Sequence, residues 1–255
     1  MSNLKYLIGQ LIAIPVLPIM YWQSVRIKKN MPRLPEATDA VGAIGNGRRE
    51  IKLLSIGEST VAGVGVKSHY QSIVGFLSNY LADCKGVKVS WEVLAKSGFT
   101  VKNVNTNLIP LLKNEIPDLI VIGLGGNDTF QTNHPKNWAI EIKKLIQSIR
   151  SKYPKAPIIF MNMPPVRDFI VMGSLLHFFL GNLVDLFSQE LENIVAQHQN
   201  VWFNDKRISL EEFKTIGGEA YSIHDFFSDG VHPSELTYRI WGEEMGRYIL
   251  DVVLR

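Results

Sequence analysis

From Ile51 to the C-terminus, short apolar runs alternate with longer stretches whose apolar residues recur at helical spacing. This rhythm buries all of its apolar faces when parallel strands form a sheet and crossover helices cover both sides of it. The strands are expected at 51–57 (IKLLSIG), 87–95 (VKVSWEVLA), 118–125 (DLIVIGLG), 157–163 (PIIFMNM) and 200–205 (NVWFND). The third run is the most continuously apolar and reads as a central strand buried on both faces, whereas the partial alternation of the second reads as a sheet edge. Helices are expected over 68–83, 103–115, 136–152, a long apolar-to-amphipathic stretch from Phe169 to about residue 198, and 233–252, the last opening at Pro233. The fold class is therefore α/β, a three-layer α/β/α domain over residues 50–255 around a five-stranded parallel sheet.

Charge divides the chain differently. Residues 1–33 carry Lys5, Arg26, Lys28, Lys29 and Arg33 and no acid, so the whole-chain net charge of +3 leaves a slightly acidic body. A body without a basic excess does not suit nucleic acid. The single cysteine, Cys84, excludes an intrachain disulfide and a C-x-x-C metal or redox site. Between Lys5 and Arg26 runs an uncharged stretch, YLIGQLIAIPVLPIMYWQSV, closed by Tyr21, Trp22 and the basic run RIKK. It is long enough to span a bilayer, and aromatic residues followed by cations suit its exit into headgroups. Pro15 and Pro18 favour an interfacial or re-entrant anchor instead, and a helix packed against the body is a third reading. As an anchor, residues 1–33 would tether the domain to a membrane, with the body on the cytoplasmic side by the charge rule and an exported location as the alternative. Residues 34–49 read as a linker.

In an open parallel sheet ligands bind beyond the carboxyl ends of the strands, so the turns there are the candidate site. After the first strand comes Gly57-Glu58-Ser59-Thr60; a serine at a strand-to-helix turn suits a nucleophile and equally suits an ordinary N-cap. Val61 stands where a G-x-S-x-G elbow needs its second glycine. Gly98 follows the second strand and Gly125-Gly126-Asn127-Asp128 the third. A backbone N–H at Gly98, the Asn127 amide and the Ser59 N–H would together make an oxyanion hole. Asp229-Gly230-Val231-His232 precedes the last helix, where the carboxylate can orient an imidazole acting as general base. Metal ligation by His224, Asp225, Asp229 and His232 is the weaker alternative, since their spacing matches no familiar metal motif.

In this order and on this alternating pattern, Gly-x-Ser, Gly, Gly-x-Asn-Asp and Asp-x-x-His resemble the four blocks of the SGNH hydrolases, the GDSL esterase/lipase family, from about Ile51 to the C-terminus. The resemblance implies a flavodoxin-like fold and ester hydrolysis through an acyl-enzyme. It also implies a triad of Ser59, Asp229 and His232, an oxyanion hole of Ser59, Gly98 and Asn127, and neither metal nor organic cofactor. The family's Gly-Asp-Ser reads Gly-Glu-Ser here, which leaves the triad whole but adds a methylene beside the nucleophile. Phe169 and Leu176, on an apolar rim (169–180) that is either an acyl-chain wall or core, and Phe130, after the third strand, are the candidate substrate-binding residues; Trp138 is a further candidate and His177 a core histidine. The expected substrate is a small-molecule or lipid-like acyl ester. A carbohydrate or cell-envelope O-acetyl ester is the alternative, and a tethered binding protein without turnover the second.

Overall fold

The computed structural model describes residues 32–217 and 221–254, together with Pro18, Trp22, Gln23 and Arg26. The expected parallel core is present, enlarged by one strand. In chain order the strands are β1 (Val41–Ile44), β2 (Glu50–Gly57), β3 (Lys88–Ala95), β4 (Leu119–Gly123), β5 (Ile158–Phe160) and β6 (Val201–Phe203). They lie in the order β1-β3-β2-β4-β5-β6, all neighbours parallel except β1, which runs antiparallel to β3. The helices are α1 (Ile73–Lys85), α2 (Val101–Asn107), α3 (Gly126–Phe130), α4 (Pro135–Lys152), α5 (Ser174–Val195), α6 (Leu210–Gly217) and α7 (Glu235–Tyr248).

Alternation along β2 and β4 sends neighbouring side chains to opposite sides of the sheet. Leu53, Leu119 and Val121 join Ile73 and Leu77 of α1 and Tyr238 and Trp241 of α7 in one core. Leu54, Ile56, Ile120 and Ile122 join Val104 of α2, Ile142 and Leu145 of α4 and Phe187 of α5 in the other. Both strands are buried on both faces, which explains their continuous apolar runs.

Two expectations need correction. Residues 41–44, inside the stretch read as a linker, form the edge strand β1. Gly42 leaves room for the Trp91 ring, whose indole N–H donates to the Asp39 carbonyl (3.2 Å). The second expected strand, β3, is therefore not an edge. Its alternation has a different cause: Val89, Trp91 and Val93 enter the core, while Lys88, Ser90 and Glu92 face the partly exposed side, where Glu92 pairs with Lys113. The edge role falls to β1. Cys84, near the end of α1, is exposed.

Sheet register brings three strand ends to one level. Gly57 pairs with Ala95 of β3 and with Gly123 of β4. The chain passes from β2 to β3 on one side and then to β4 on the other, so the order reverses around β2, and a crevice opens there. Beyond it the Glu58 N–H donates to Gly123 O and the Lys96 N–H to Gly57 O, both at 3.2 Å. Gly57 is required at this point, because a methyl group there would collide with the Gly123 carbonyl oxygen and the Val61 side chain. Gly57→Ala is expected to cost on the order of 2 kcal/mol of stability, as overpacking does, measured by urea unfolding; a midpoint within experimental error of the parent would refute it.

Candidate active site

Ser59 opens the turn that leaves β2. Its carbonyl accepts the Val64 N–H (3.1 Å), and Glu58 O accepts the Ala62 N–H (2.8 Å), so residues 58–64 wind helically just beyond the sheet. Ser59 is half-buried, and its hydroxyl makes no hydrogen bond to another described residue. The lead-in, which reads as a linker in the sequence, supports this turn. Ala37 N–H donates to Ala62 O and Thr38 N–H to Lys67 O, both at 2.9 Å. Glu36 reaches the next loop, accepting from the Ser97 N–H (2.7 Å) and pairing with Lys96 (3.0 Å). Gly98 follows directly, exposed and at φ +83°, a backbone conformation that side chains with a Cβ rarely adopt.

Asp229 and His232 sit on the loop before α7. One Asp229 carboxylate oxygen, Oδ1, accepts the backbone N–H groups of Val231 (3.0 Å) and His232 (2.8 Å), and Oδ2 faces His232 Nδ1 at 2.7 Å. The Asp229 side chain is fully buried and that of His232 is 15% exposed. Burial pushes the Asp229 carboxyl upward, but the hydrogen bonds from His232 outweigh it and hold the group below the usual aspartate range. An ionised carboxylate only accepts, so Nδ1 carries the proton in neutral His232 and Nε2 presents its lone pair.

This loop is fastened to the Ser59 turn. The Tyr238 hydroxyl, on buried α7, donates to Val64 O (2.8 Å), and Ser228 Oγ donates to Gly65 O (3.2 Å) and Pro233 O (3.0 Å). Burial drives the Tyr238 phenol well above its ordinary value, so it is a neutral donor. The spacing of Asp229 and His232 was legible in the sequence, whereas their fastening through Tyr238 and Ser228 was not. A tyrosine one turn into an amphipathic helix gives no signal of its partner.

The third loop is organised by the residue that departs from the family pattern. Glu58 is buried, and its carboxylate receives three hydrogen bonds: Gly126 N–H to Oε1 (2.7 Å), and Asn127 N–H (2.8 Å) and Asn127 Nδ2 (2.6 Å) to Oε2. The same Nδ2 also donates to Phe99 O (3.2 Å). Asp128 turns the other way, accepting from the Val101 N–H (2.9 Å) and Asn133 Nδ2 (2.8 Å) and tying the loop to α2. Burial pushes the Glu58 carboxyl up to about 7, against the pull of the Asn127 and Gly126 N–H groups and with a further push from Asp128.

Of the substrate-binding candidates, Phe130 is 42% exposed, whereas Phe169 and Leu176 are buried in the core. Phe169 stacks on Phe130 (ring centroids 6.1 Å apart) and meets Phe227 edge to face (5.9 Å), so the three rings lead from the surface toward the segment that bears Asp229. The apolar rim is mostly core: Leu176, Leu180, Val184 and Phe187 make the inner stripe of α5, and Phe178 is exposed. Trp138 is buried and stacked on Phe187 (4.6 Å). His177 makes one hydrogen bond, to Phe169 O (2.8 Å). Among the described residues no group of three or more His, Cys, Asp or Glu is placed to hold a metal ion.

A six-stranded α/β/α sandwich with a serine turn after β2, an asparagine loop after the neighbouring β4 and an Asp-x-x-His loop before the last helix has the architecture of an SGNH-type ester hydrolase. Residues 55–240 match the GDSL-like Lipase/Acylhydrolase family, and the chain belongs to that family and to its class of carboxylic ester hydrolases. Its fold is similar to the crystal structure of TesA (22% identity, TM-score 0.59, 79% of this chain and 99% of that one). It is also similar to the psychrotrophic esterase EstA from Pseudoalteromonas sp., inhibited by monoethylphosphonate (18%, TM-score 0.55, 80% and 99%). A family two carbohydrate esterase from Clostridium thermocellum, in complex with cellohexaose, superimposes as well (17%, TM-score 0.57, 82% and 65%). No curated protein sequence is significantly similar to it.

The Glu58 carboxyl makes a signed prediction. Its folded value lies above the ordinary glutamate value of 4.5, so the folded state holds an extra proton between the two values. That contribution to stability is complete below about pH 4.5 and is lost as pH rises to about 7, a loss on the order of 3 kcal/mol. Asp229, held low, acts in a different window and loses its contribution only under acid. The stability of the parent relative to Glu58→Gln should therefore fall by about 3 kcal/mol between pH 4.5 and 8; parallel curves would contradict the assignment.

Proposed function

We propose that this protein hydrolyses acyl esters through a Ser59-His232-Asp229 triad. The observation that carries the reading is the Asp229–His232 pair: the buried carboxylate fixes the imidazole with Nε2 as the free base, on a loop fastened to the turn that bears Ser59. His232 takes the Ser59 proton as Oγ attacks the ester carbonyl, and Asp229 stabilises the imidazolium. The N–H groups of Ser59 and Gly98 and the Asn127 amide receive the oxyanion. Collapse expels the alcohol, protonated by His232, and leaves an acyl-Ser59 ester. Water, deprotonated by His232, then releases the acid and restores Ser59. Apo catalytic hydrogen bonds are commonly long and close only around substrate, which accounts for an unpartnered Ser59 hydroxyl.

The aromatic series headed by exposed Phe130 favours an apolar acyl group. A specific feature favours the second reading, a polar alcohol moiety such as a glycan O-acetyl ester. A cavity of about 490 Å³ lies beyond the ends of β5 and β6, beside the site and not lined by Ser59, Asn127 or His232; Arg167, Asp185, Ser188, Arg207 and Ser209 are among the residues that line it. Asp185 is shared there by Arg167 and Arg207. Covalent labelling of the full chain with a fluorophosphonate tests the triad. Stoichiometric addition at Ser59 is expected, abolished by Ser59→Ala and reduced at least a hundredfold in rate by His232→Ala. Asp229→Asn should lower kcat by roughly 10³–10⁴, because the amide presents the wrong partner to Nδ1. A folded protein that adds no mass would point to a binding protein instead.

Membrane association through residues 1–33 belongs to the same reading. It is supported by the uncharged stretch ending in a basic run and by Trp22, which is 60% exposed with Arg26 over its ring. Most of this stretch lies outside the described residues; among those described, no helix is long and apolar enough to cross a membrane. Gln23 touches Gly173 at the start of α5, so this end of the segment meets the body. In flotation with liposomes the full chain should rise with the vesicles and a chain starting at Arg33 should not; equal behaviour would remove the anchor.

A further inference from the structure

The Asn127 amide has two hydrogens and, in the resting structure, two acceptors: Glu58 Oε2 at 2.6 Å and Phe99 O at 3.2 Å. An oxyanion-hole donor with both hydrogens engaged must release one of them. The two bonds are unequal. That to Glu58 is short, and the carboxylate also grips the Asn127 and Gly126 backbone N–H groups at 2.8 and 2.7 Å, so the amide and its loop are held together at three points. That to Phe99 is long and ends on a neutral carbonyl, one residue beyond Gly98.

We propose that Glu58 is the positioning residue of the oxyanion hole, holding the Asn127 amide by one hydrogen while the other exchanges the Phe99 carbonyl for the substrate oxyanion. Phe99 O thus acts as a stand-in acceptor, holding the hydrogen toward the loop that follows β3 before substrate arrives. No covalent bond changes in this exchange. The longer side chain suits this role, because a glutamate leaving β2 reaches two successive backbone N–H groups and the Asn127 amide together. All three groups facing the carboxylate are donors, so a glutamine in its place leaves its own NH2 opposed to a donor. Glu58 touches no substrate atom in this arrangement and acts only through Asn127.

The inference rests on Asn127 being an oxyanion-hole donor, and a mutant cycle separates the two claims. Steady-state kinetics on a soluble p-nitrophenyl ester, and inhibition by phenylboronic acid, whose serine adduct carries an anionic oxygen, are measured for Glu58→Gln, Glu58→Asp, Asn127→Ala and the double variant Glu58→Gln/Asn127→Ala. Expected are a kcat loss of at least tenfold for Glu58→Gln with KM changed less than threefold, a parallel weakening of boronate inhibition, and partial recovery in Glu58→Asp. The double variant should be no slower than Asn127→Ala alone. If Asn127→Ala leaves kcat and boronate binding intact, the oxyanion-hole reading itself fails. If Asn127→Ala is slow but the Glu58 losses multiply with it, or raise KM while sparing kcat, the positioning role of Glu58 is overturned. Should Glu58→Gln not fold, Glu58→Asp paired with Asn127→Ala decides by the same rule.

Discussion

Parallel pairing of β2 on both sides is the constraint from which the site follows. Because Gly57 is level with Ala95 and with Gly123, the three loops that leave these strands start from one line, and the chain reverses direction around it. Close approach at that line depends on glycine, since β2 and β4 meet there with no room for a methyl group. The hydrogen bonds Glu58 N–H to Gly123 O and Lys96 N–H to Gly57 O extend the sheet's register one residue into the loops. Ser59, Gly98 and Asn127 are therefore placed by backbone geometry, and side chains adjust only the last ångström. A site built on rigid strand ends holds its geometry more closely than one built on free loops.

Asp229 and His232 arrive from the other end of the sequence and need a separate attachment. Loop 228–233 is closed on itself by the Ser228 N–H to His232 O bond (2.8 Å) and by the three hydrogen bonds into Asp229. It is joined to the Ser59 turn by Tyr238 and Ser228, which reach the backbone carbonyls of residues 64 and 65 respectively. Carbonyl acceptors are indifferent to side-chain identity, so the attachment survives changes in the turn's sequence. Gly230 also lies against Val171 and Ile170, which brings the segment before α5 onto the base loop. Through that contact and the ring series Phe130-Phe169-Phe227, the segment before α5 and the Asp229–His232 loop share one scaffold.

Periodicity made the parallel core legible, because strands buried on both faces leave no polar alternation and their crossover helices leave a clear one. It failed at β1. Val41-Gly42-Ala43-Ile44 is short, Val41 is 68% exposed, and the strand exists by pairing with β3, some 50 residues away, under the Trp91 ring. Nothing local in a Gly-rich lead-in carries that information, and the polar face of β3 then mimicked an edge. The Asp229–His232 pair was legible because both partners lie within one loop. Glu36, Tyr238 and the grip of Glu58 were not, since each is a long-range pairing of a polar side chain with backbone. For Leu176 and Phe169, apolar character suited rim and core equally, and only the packing of α5 decides for the core.

Glu58 shows how two opposing effects meet at one buried carboxyl. Burial without compensation drives a carboxyl toward its neutral form, and three aligned donors favour the anion. Here burial wins: the carboxyl is pushed up to about 7, with Asp128 adding to the push. A closer anion would oppose charge developing on a substrate oxygen, so a carboxyl that ionises reluctantly suits a place behind the donor. Asp229 illustrates the opposite balance. Its side chain is also buried, yet the hydrogen bonds from His232 keep it low, and its charge sits against the His232 imidazole. Two buried acids flank the serine turn with their ionisation pushed apart, the ready anion beside the His232 imidazole and the reluctant one behind the Asn127 amide. That division of roles follows from what each carboxyl faces, an imidazole in one case and amide N–H groups in the other.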